Sequence, residues 1–573
     1  MTIAEKIQNA IKQSLEELGI SYDGTINLEH PRDLSHGDFS TNIAMVLAKQ
    51  EGKNPQSLAN LIIEKMNLFA IADSLFVTIK NGFINIKIKP NFFEREIKTI
   101  LEKKKSYGNN ESWKGKNILV EHSSPNLFKP FHIGHMMNNT IGEAITRLCR
   151  TSGAEVTMIS YPSDVSLGIG KAVWQFLEYG VTKIDEYETL SEKMAFLGRC
   201  YSEGTKAYDN NPELEKRVRE ITQDIYEHRD TPAYHAYKIG RDLNLDYFIK
   251  MTARLGSTFD GFIFESKAGV IGKEIIDEHT PSVYTESDGA IIFKPSEKDL
   301  EKEKSLHTRV FINKDGNPTY EAKDTGLLKL KFERYNPDLS IFVTDSEQGP
   351  YFKVVSYAAG KINKDWHEKT QHKTHGRMQF KGEKMSSRLG NTPLVSDILG
   401  VVNEEVYTRA GERDISEEQA DIISIAALKY TILRTQAGKN INFDPETSLS
   451  FEGDSGPYLQ YTYARSQSIL DKAERLKIDI DSNQPENWET TNIEHYLYRF
   501  PEIIELSFNE LHPHYVVTYI TELAQLFNSW YGNTKIVDEN DETSGYKLAL
   551  TKATAQVIKN GLWVLGIDAP EQM

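Results

Sequence analysis

Apolar positions along this chain follow two periods, and the switches between them mark the predicted elements. Residues 4–18 carry helical spacing, and Asn54-Pro-Gln-Ser57 opens a second helix that runs through Met66. Residues 76–79 and 83–88 then alternate as strands joined through Asn81-Gly82, a strong hairpin signal. Together these elements predict a small α+β module over residues 1–108, with the lysine-rich and then polar stretch 103–110 as linker. The polar stretch His36-Gly-Asp-Phe-Ser-Thr-Asn42 has no catalytic spacing and reads as a loop and helix start.

The apolar run Ile118-Leu-Val120 predicts a short buried strand, after which Pro125 and Pro130 force a loop. A helix is expected over about 136–150, with Ile141, Ile145 and Leu148 on one face and Gly153 as its C-cap. A second strand over 156–161 completes a β-loop-α-β unit of nucleotide-binding type. After Tyr161-Pro-Ser-Asp164 the sheet pattern stops, and charged helical sequence over 168–277 predicts a domain inserted at about 168–285. Strand signals return at 290–293 and 309–312. A helix from Tyr320 that holds Asp324, a buried strand over 339–345 and another over 375–380 complete a region spanning 115–410. Ligands of such sheets collect at the carboxyl ends of the strands, where Glu121, Asp345 and Gln348 would sit. From 415 to 573 the chain turns helical, apart from a loop over 449–458. The expected class is α/β: a Rossmann-type domain carrying an insertion, an N-terminal α+β module and a C-terminal all-α domain. There are no internal repeats.

Composition narrows the setting. The chain has 573 residues, 39% of them hydrophobic and 26% charged, with no stretch approaching a membrane span. Its start lacks a signal-peptide core. The two cysteines, Cys149 and Cys200, cannot make a zinc cluster or a disulfide framework, so a reducing cytoplasm is the expected home. A net charge of -16 disfavours indiscriminate nucleic-acid binding but leaves room for a local basic surface. Lys103-Lys-Lys105, or Lys323 with Lys329 and Lys331, are the candidates for one.

Two features about 250 residues apart carry the chemistry. His132-Ile133-Gly134-His135 stands at a helix start, where histidines three apart share a face beside unpaired backbone N–H groups that favour anions. Gly134 removes a side chain and lets a flat base approach. Lys384-Met385-Ser386-Ser387 stands on a basic, glycine-bounded loop suited to closing over phosphates. Each alone also fits a plain structural reading, a histidine pair or a surface hairpin. Together, in this order, they predict adenylyl transfer from ATP.

The joint pattern resembles the two signatures of class I aminoacyl-tRNA synthetases, and over essentially the whole chain it is most similar to the arginyl-tRNA synthetase family. The matching text includes His36-Gly-Asp-Phe-Ser-Thr-Asn42, Gly82-Phe-Ile-Asn-Ile86, residues 121–135, Asp288-Gly289, Ser450-Phe-Glu-Gly-Asp-Ser-Gly-Pro-Tyr-Leu-Gln460 and the ending Leu565-Gly-Ile-Asp-Ala-Pro570. The resemblance implies that Tyr320 and Asp324 grip a guanidinium. That fits its chemistry: a planar, always-charged fork of five donors needs fixed acceptors including a carboxylate. It implies that Glu121, Asn126 and Gln348 orient the substrate's α-amino and carboxylate groups, and that His132, Gly134, His135, Lys384, Met385 and Ser386 hold ATP. Pro125, Asn126, Lys129, Pro130 and Ile133 complete the signature region.

Two departures from the family pattern bear on mechanism. Tyr161-Pro-Ser-Asp164-Val-Ser-Leu-Gly168 replaces a Gly-Asp-Trp-Gly-Thr-Gln segment, leaving Asp164 without an assigned role. Ser387 stands where the second signature has a catalytic lysine, and the resemblance then shifts charge neutralisation to Lys129 together with Lys384, with Arg388 in reserve. The implied reaction has two steps. The carboxylate of L-arginine attacks the α-phosphorus of ATP, with Mg²⁺ on the leaving pyrophosphate, and the terminal adenosine of tRNA(Arg) then takes the arginyl group through its 2′-hydroxyl. The resemblance also implies that tRNA is needed for the first step, that Phe83 and Asn85 contact the outer corner of the tRNA, and that Met573 lies near the anticodon. A monomer is expected. The competing readings are another class I enzyme or a small-substrate nucleotidylyltransferase, which would not need residues 415–573, and a catalytically dead tRNA-binding protein, against which the intact His132, His135, Lys129 and Lys384 argue.

Overall fold

The structure, a computed structural model, describes residues 2–31, 33–381, 393–411, 415–436 and 438–573. The N-terminal module is built on helices Ile3–Glu17 and Pro55–Met66, each opened by a side-chain cap, Thr2 and Asn54. Against them lie β1 (Phe39–Thr41), β2 (Leu75–Lys80) and β3 (Phe83–Ile88), antiparallel in the order β1-β3-β2. The hairpin turns through Asn81 and Gly82, both at positive φ (54° and 82°), the conformation that makes Asn-Gly a hairpin signal. Strand β1 lies where a loop and helix start were expected. It is three residues long, and its neighbour Asp38 is buried because its carboxylate accepts the Ile88 N–H. This module has a core of its own, including Ile7, Ile11, Leu58, Ile62 and Ile84.

The central sheet contains β4 (Asn117–Glu121), β5 (Glu155–Ser160) and β6 (Gly261–Phe262). A separate antiparallel sheet of β7 (Thr285–Ser287), β8 (Ala290–Phe293) and β9 (Arg309–Ile312) follows. The chain then returns to the central sheet with β10 (Leu339–Asp345) and β11 (Thr370–His375). The strand order is β11-β10-β4-β5-β6, all parallel. The chain winds outward from β4 to β6 and crosses back to β10, so the order reverses between β4 and β10. The carboxyl ends of those two strands, at Glu121 and Asp345, flank the crevice where such sheets bind ligands.

Several expectations are corrected here. The signature helix is Ile133–Thr151, three residues longer at its start than predicted, because His132 itself serves as the N-cap. The expected insertion at about 168–285 is not one block. Helices Leu167–Tyr179, Leu190–Asn210, Glu213–Tyr226 and Pro232–Arg254 form the excursion, but β6 rejoins the central sheet and helix Glu265–Glu278 packs on helix Tyr320–Tyr335. The single strand expected over 375–380 is two strands, β11 and β12 (Met378–Phe380), broken at Gly376 where an added Cβ would lie 2.3 Å from the Lys439 carbonyl oxygen. Strand β12 pairs in parallel with β13 (Ile441–Phe443), which lies in sequence expected to be helical. Lys323 and Lys331 are buried in ion pairs and form no basic surface, whereas Lys103-Lys-Lys105 is exposed.

The tail helices include Glu417–Leu433, Gly456–Arg475, His514–Asn533 and Ser544–Val564. They do not form a separate body. Val120 of β4, Ile145 and Leu148 of the signature helix, Ile341 of β10, and Leu428 and Ile558 of the tail belong to one continuous apolar core. Among the described residues no helix is long and apolar enough to cross a membrane.

Candidate active site

The loop from β4 to the signature helix is held at three points. Asn138 clamps its start: its Oδ1 accepts the Ser123 N–H at 2.6 Å, and its Nδ2 donates to the Val343 carbonyl of β10 at 2.6 Å. Ser123 and Phe128 take positive φ (55° and 66°), unusual for residues with side chains. Phe128 is fully buried against Tyr237 and sits where Gly240 has no side chain, since a Cβ there would lie 2.4 Å from its ring. The excursion helix Pro232–Arg254 thus fixes the loop from outside. Pro125 ties it to the end of β5 by accepting the Ser163 N–H at 2.9 Å.

At the helix start the two histidines hold each other in place. His132 Nδ1 accepts the Gly134 N–H at 3.1 Å, and His135 Nδ1 accepts the His132 N–H at 3.2 Å. The rings stack with centroids 3.9 Å apart. Gly134 leaves room for this, because an added Cβ would crowd His132 Cε1 at 3.0 Å. Burial depresses both imidazoles below their ordinary range, aided by the Lys129 charge and, for His135, by His132. Both rings are therefore neutral at physiological pH. With each Nδ1 occupied as an acceptor, the proton resides on Nε2, giving two N–H donors for an anion. The chain beyond the second signature reaches this helix start: the Ile133 N–H donates to the Pro393 carbonyl at 3.0 Å, and the Val395 N–H to the Phe131 carbonyl at 3.0 Å. Lys384, Met385, Ser386, Ser387 and Arg388 lie outside the described residues.

A cavity of about 610 Å³ opens at the switch point. His132, Gly134 and His135 line it, together with Glu121, Asn126 and Gln348. Helix Tyr320–Tyr335 supplies another wall through Tyr320 and Asp324, one turn apart on one face. Asp324 accepts a hydrogen bond from the Tyr351 hydroxyl. Burial first, then Glu121 and Glu265 nearby, push its carboxyl up to about 8. Glu121 is buried in an ion pair with Lys331, and Glu265 in one with Lys323. Asn126 and Gln348 are exposed on the cavity surface. Lys129 does not line it; its ammonium rests 5.0 Å from the centre of the Tyr201 ring.

Sequence reasoning passed over Tyr161, Glu265, Lys331, Tyr351 and His375, all of which line the cavity. Lys331 lies eleven residues after Tyr320, close to three helical turns, which places it on the same face. The position of Tyr161 directly after β5 and the helical spacing of Lys331 from Tyr320 were readable signs for those two, and nothing local marked the others. Asp164 acquires a structural role: its carboxylate accepts the Ser266 N–H at 2.9 Å and hydroxyl at 2.8 Å, latching the end of β5 to helix Glu265–Glu278. Phe83 is exposed on β3, but Asn85 is buried with its Oδ1 on the Ser40 hydroxyl, so the expectation that it reads a base edge meets an engaged side chain. Met573 is exposed at the chain end.

Three regions match family profiles in sequence order. These are the arginyl tRNA synthetase N terminal domain at residues 5–88, the class I (R) tRNA synthetase catalytic domain at 96–444, and the DALR anticodon binding domain at 459–573. An arginine–tRNA ligase of Clostridium perfringens is 30% identical to this chain, covering 100% of it and 99% of the relative. One of Streptococcus pneumoniae is 28% identical over 95% of each. Among solved structures, the arginyl-tRNA synthetase of Thermus thermophilus superposes with a TM-score of 0.78 at 22% identity, covering 99% of this chain and 100% of the other. That of Plasmodium falciparum gives 0.78 at 20% identity, covering 100% of both. These two superpositions speak to the fold.

Proposed function

The chain belongs to the arginyl-tRNA synthetase family, and from that membership we propose that it is an ATP-dependent arginine–tRNA ligase acting through the cavity between β4 and β10. It joins L-arginine to the terminal adenosine of tRNA(Arg) for protein synthesis. ATP enters as its magnesium complex, with the ion on the leaving pyrophosphate. The observation that carries the reading is the cavity itself, which brings the neutral histidine pair and the Asp324 carboxyl into one space.

Arginine lies with its guanidinium against Asp324 and Tyr320. Its α-ammonium and carboxylate are oriented by Glu121, Asn126 and Gln348. The carboxylate attacks the α-phosphorus in line, and the Nε2–H groups of His132 and His135 donate to the oxygens on which charge develops. Lys129 and Lys384 add positive charge. No side chain acts as a covalent nucleophile, so the rate comes from positioning and fixed dipoles. Residues 1–108 take the corner of the tRNA, with Phe83 as a stacking surface. Residues 115–410 carry the chemistry, and residues 415–573 with Met573 take the anticodon. The working form is a cytoplasmic monomer.

ATP–pyrophosphate exchange with each of the twenty amino acids, with and without cognate tRNA, tests this. Exchange with arginine in the presence of tRNA is expected. Exchange driven by any other amino acid instead would sink the assignment.

A further inference from the structure

The face of helix Tyr320–Tyr335 that lines the cavity ends in a lysine. Tyr320, Asp324, Leu327, Leu328 and Lys331 follow one another at helical spacing, and all five border the same space. The Lys331 ammonium is paired with the Glu121 carboxylate, with the two side chains only 2% and 9% exposed, and it sits 5.3 Å from the centre of the Phe342 ring. A buried ion pair of this kind gives little net stability, and well-packed apolar residues would serve the fold as well or better. Its presence on the wall of a ligand cavity points instead to the ligand.

The charges around the cavity make the point sharper. Of the carboxylates among its described lining residues, Glu121 is paired with Lys331, Glu265 with Lys323 and Asp345 with Arg377. Asp324 is bonded to a neutral hydroxyl. With the three lining histidines, His132, His135 and His375, all depressed by burial and neutral, ionised Asp324 leaves the described lining with one uncompensated negative charge. Free arginine carries a guanidinium, an ammonium and a carboxylate, and therefore one net positive charge.

We propose that Lys331 is a specificity-determining residue: by neutralising Glu121 it makes the cavity select a free amino acid, with its carboxylate, over the same side chain lacking that negative charge. This rests on the reading of arginine as the substrate. Without Lys331 the described lining holds two uncompensated negative charges, Glu121 and ionised Asp324, and matches a dication such as argininamide.

Calorimetric titration of the full-length protein with arginine and with argininamide tests the assignment. The wild type binds arginine the more tightly. Lys331→Met weakens arginine and strengthens argininamide, shifting the ratio of the two Kd values on the order of tenfold toward the amide. Lys331→Arg keeps the wild-type ratio. Glu121→Gln shifts it the other way, and this arm decides the matter if Lys331→Met does not fold. A ratio unchanged by Glu121→Gln, or equal weakening of both ligands by Lys331→Met, would overturn the proposal and leave Lys331 a packing residue. A wild-type protein that binds no arginine would overturn the substrate reading instead.

Discussion

Asp324 is the residue whose chemistry changes most when the cavity fills. With its carboxyl raised to about 8, it is protonated in the empty enzyme at neutral pH, and a guanidinium must displace that proton to form an ion pair. Arginine affinity is therefore expected to rise with pH through the neutral range and level off above about 8, with a proton released on binding. Calorimetry in buffers of different ionisation enthalpy measures that release, and Asp324→Asn abolishes both the release and the pH slope. The stability sign follows from the same shift. The folded state holds a proton that the unfolded chain gives up in the ordinary carboxylate range, so this site lowers stability as pH rises toward about 8. Lys129 tests a different matter. Because its charge already acts on both histidines, Lys129→Ala should slow adenylate formation roughly tenfold or more while arginine binding changes little. An unchanged single-turnover rate would remove it from the site. At this scale the sequence was readable where a motif fixed the residue, as at His132, Gly134 and His135. It was opaque for Lys323 and Lys331, because no local pattern tells a lysine with a buried glutamate partner from one in solvent.

Among the elements, strands with apolar runs were legible and polar or very short ones were not. Strand β10 was predicted at its observed bounds because five of its seven residues are buried. Strand β11 reads Thr-Gln-His-Lys-Thr-His and hides its identity because it is the edge of the sheet, with one neighbour and a wet side. Strand β6 has two residues, too few for any period. The signature helix is placed by a contact that sequence reasoning did not see. At Gly142 an added Cβ would lie 2.2 Å from Cγ of the fully buried His122, whose Nε2 meets Met158 Sδ of β5 at 2.9 Å. Gly142→Ala should therefore destabilise the protein by about 1–3 kcal/mol, read from the shift in denaturant midpoint, since neither the helix nor the ring has room to retreat.

Across the whole molecule, the catalytic and tail regions are joined by a buried lysine. Lys429 donates to the Leu255 and Gly566 carbonyls at 2.6 and 2.5 Å. Beside it Arg147 of the signature helix donates to the Trp563 and Gly256 carbonyls. Four stretches distant in sequence meet there. Lys429→Met leaves two carbonyls without a donor and is expected to lower stability by about 2–4 kcal/mol, with a single unfolding transition retained by circular dichroism. The helical character of the tail was legible, as in helices Glu417–Leu433 and Ser544–Val564. The shared core was not, because periodicity shows which face of a helix is apolar but not what covers it.

That shared core has a consequence for how the protein is made. The N-terminal module packs mostly on its own residues, with Tyr498 and the partner of its buried Asp38, His495, added from the tail, so most of its core is present once it leaves the ribosome. The same is not true of the strand and helix that carry the histidines, because Val120, Ile145 and Leu148 pack in a core that residues as late as Ile558 and Ile567 complete. Synthesis at roughly 5–20 residues per second puts a delay of tens of seconds between the emergence of the signature and that of its last packing partners. For that interval the nascent chain carries the site's sequence without its shape, so the catalytic half depends on release of the finished chain, and on protection of its apolar strands until then.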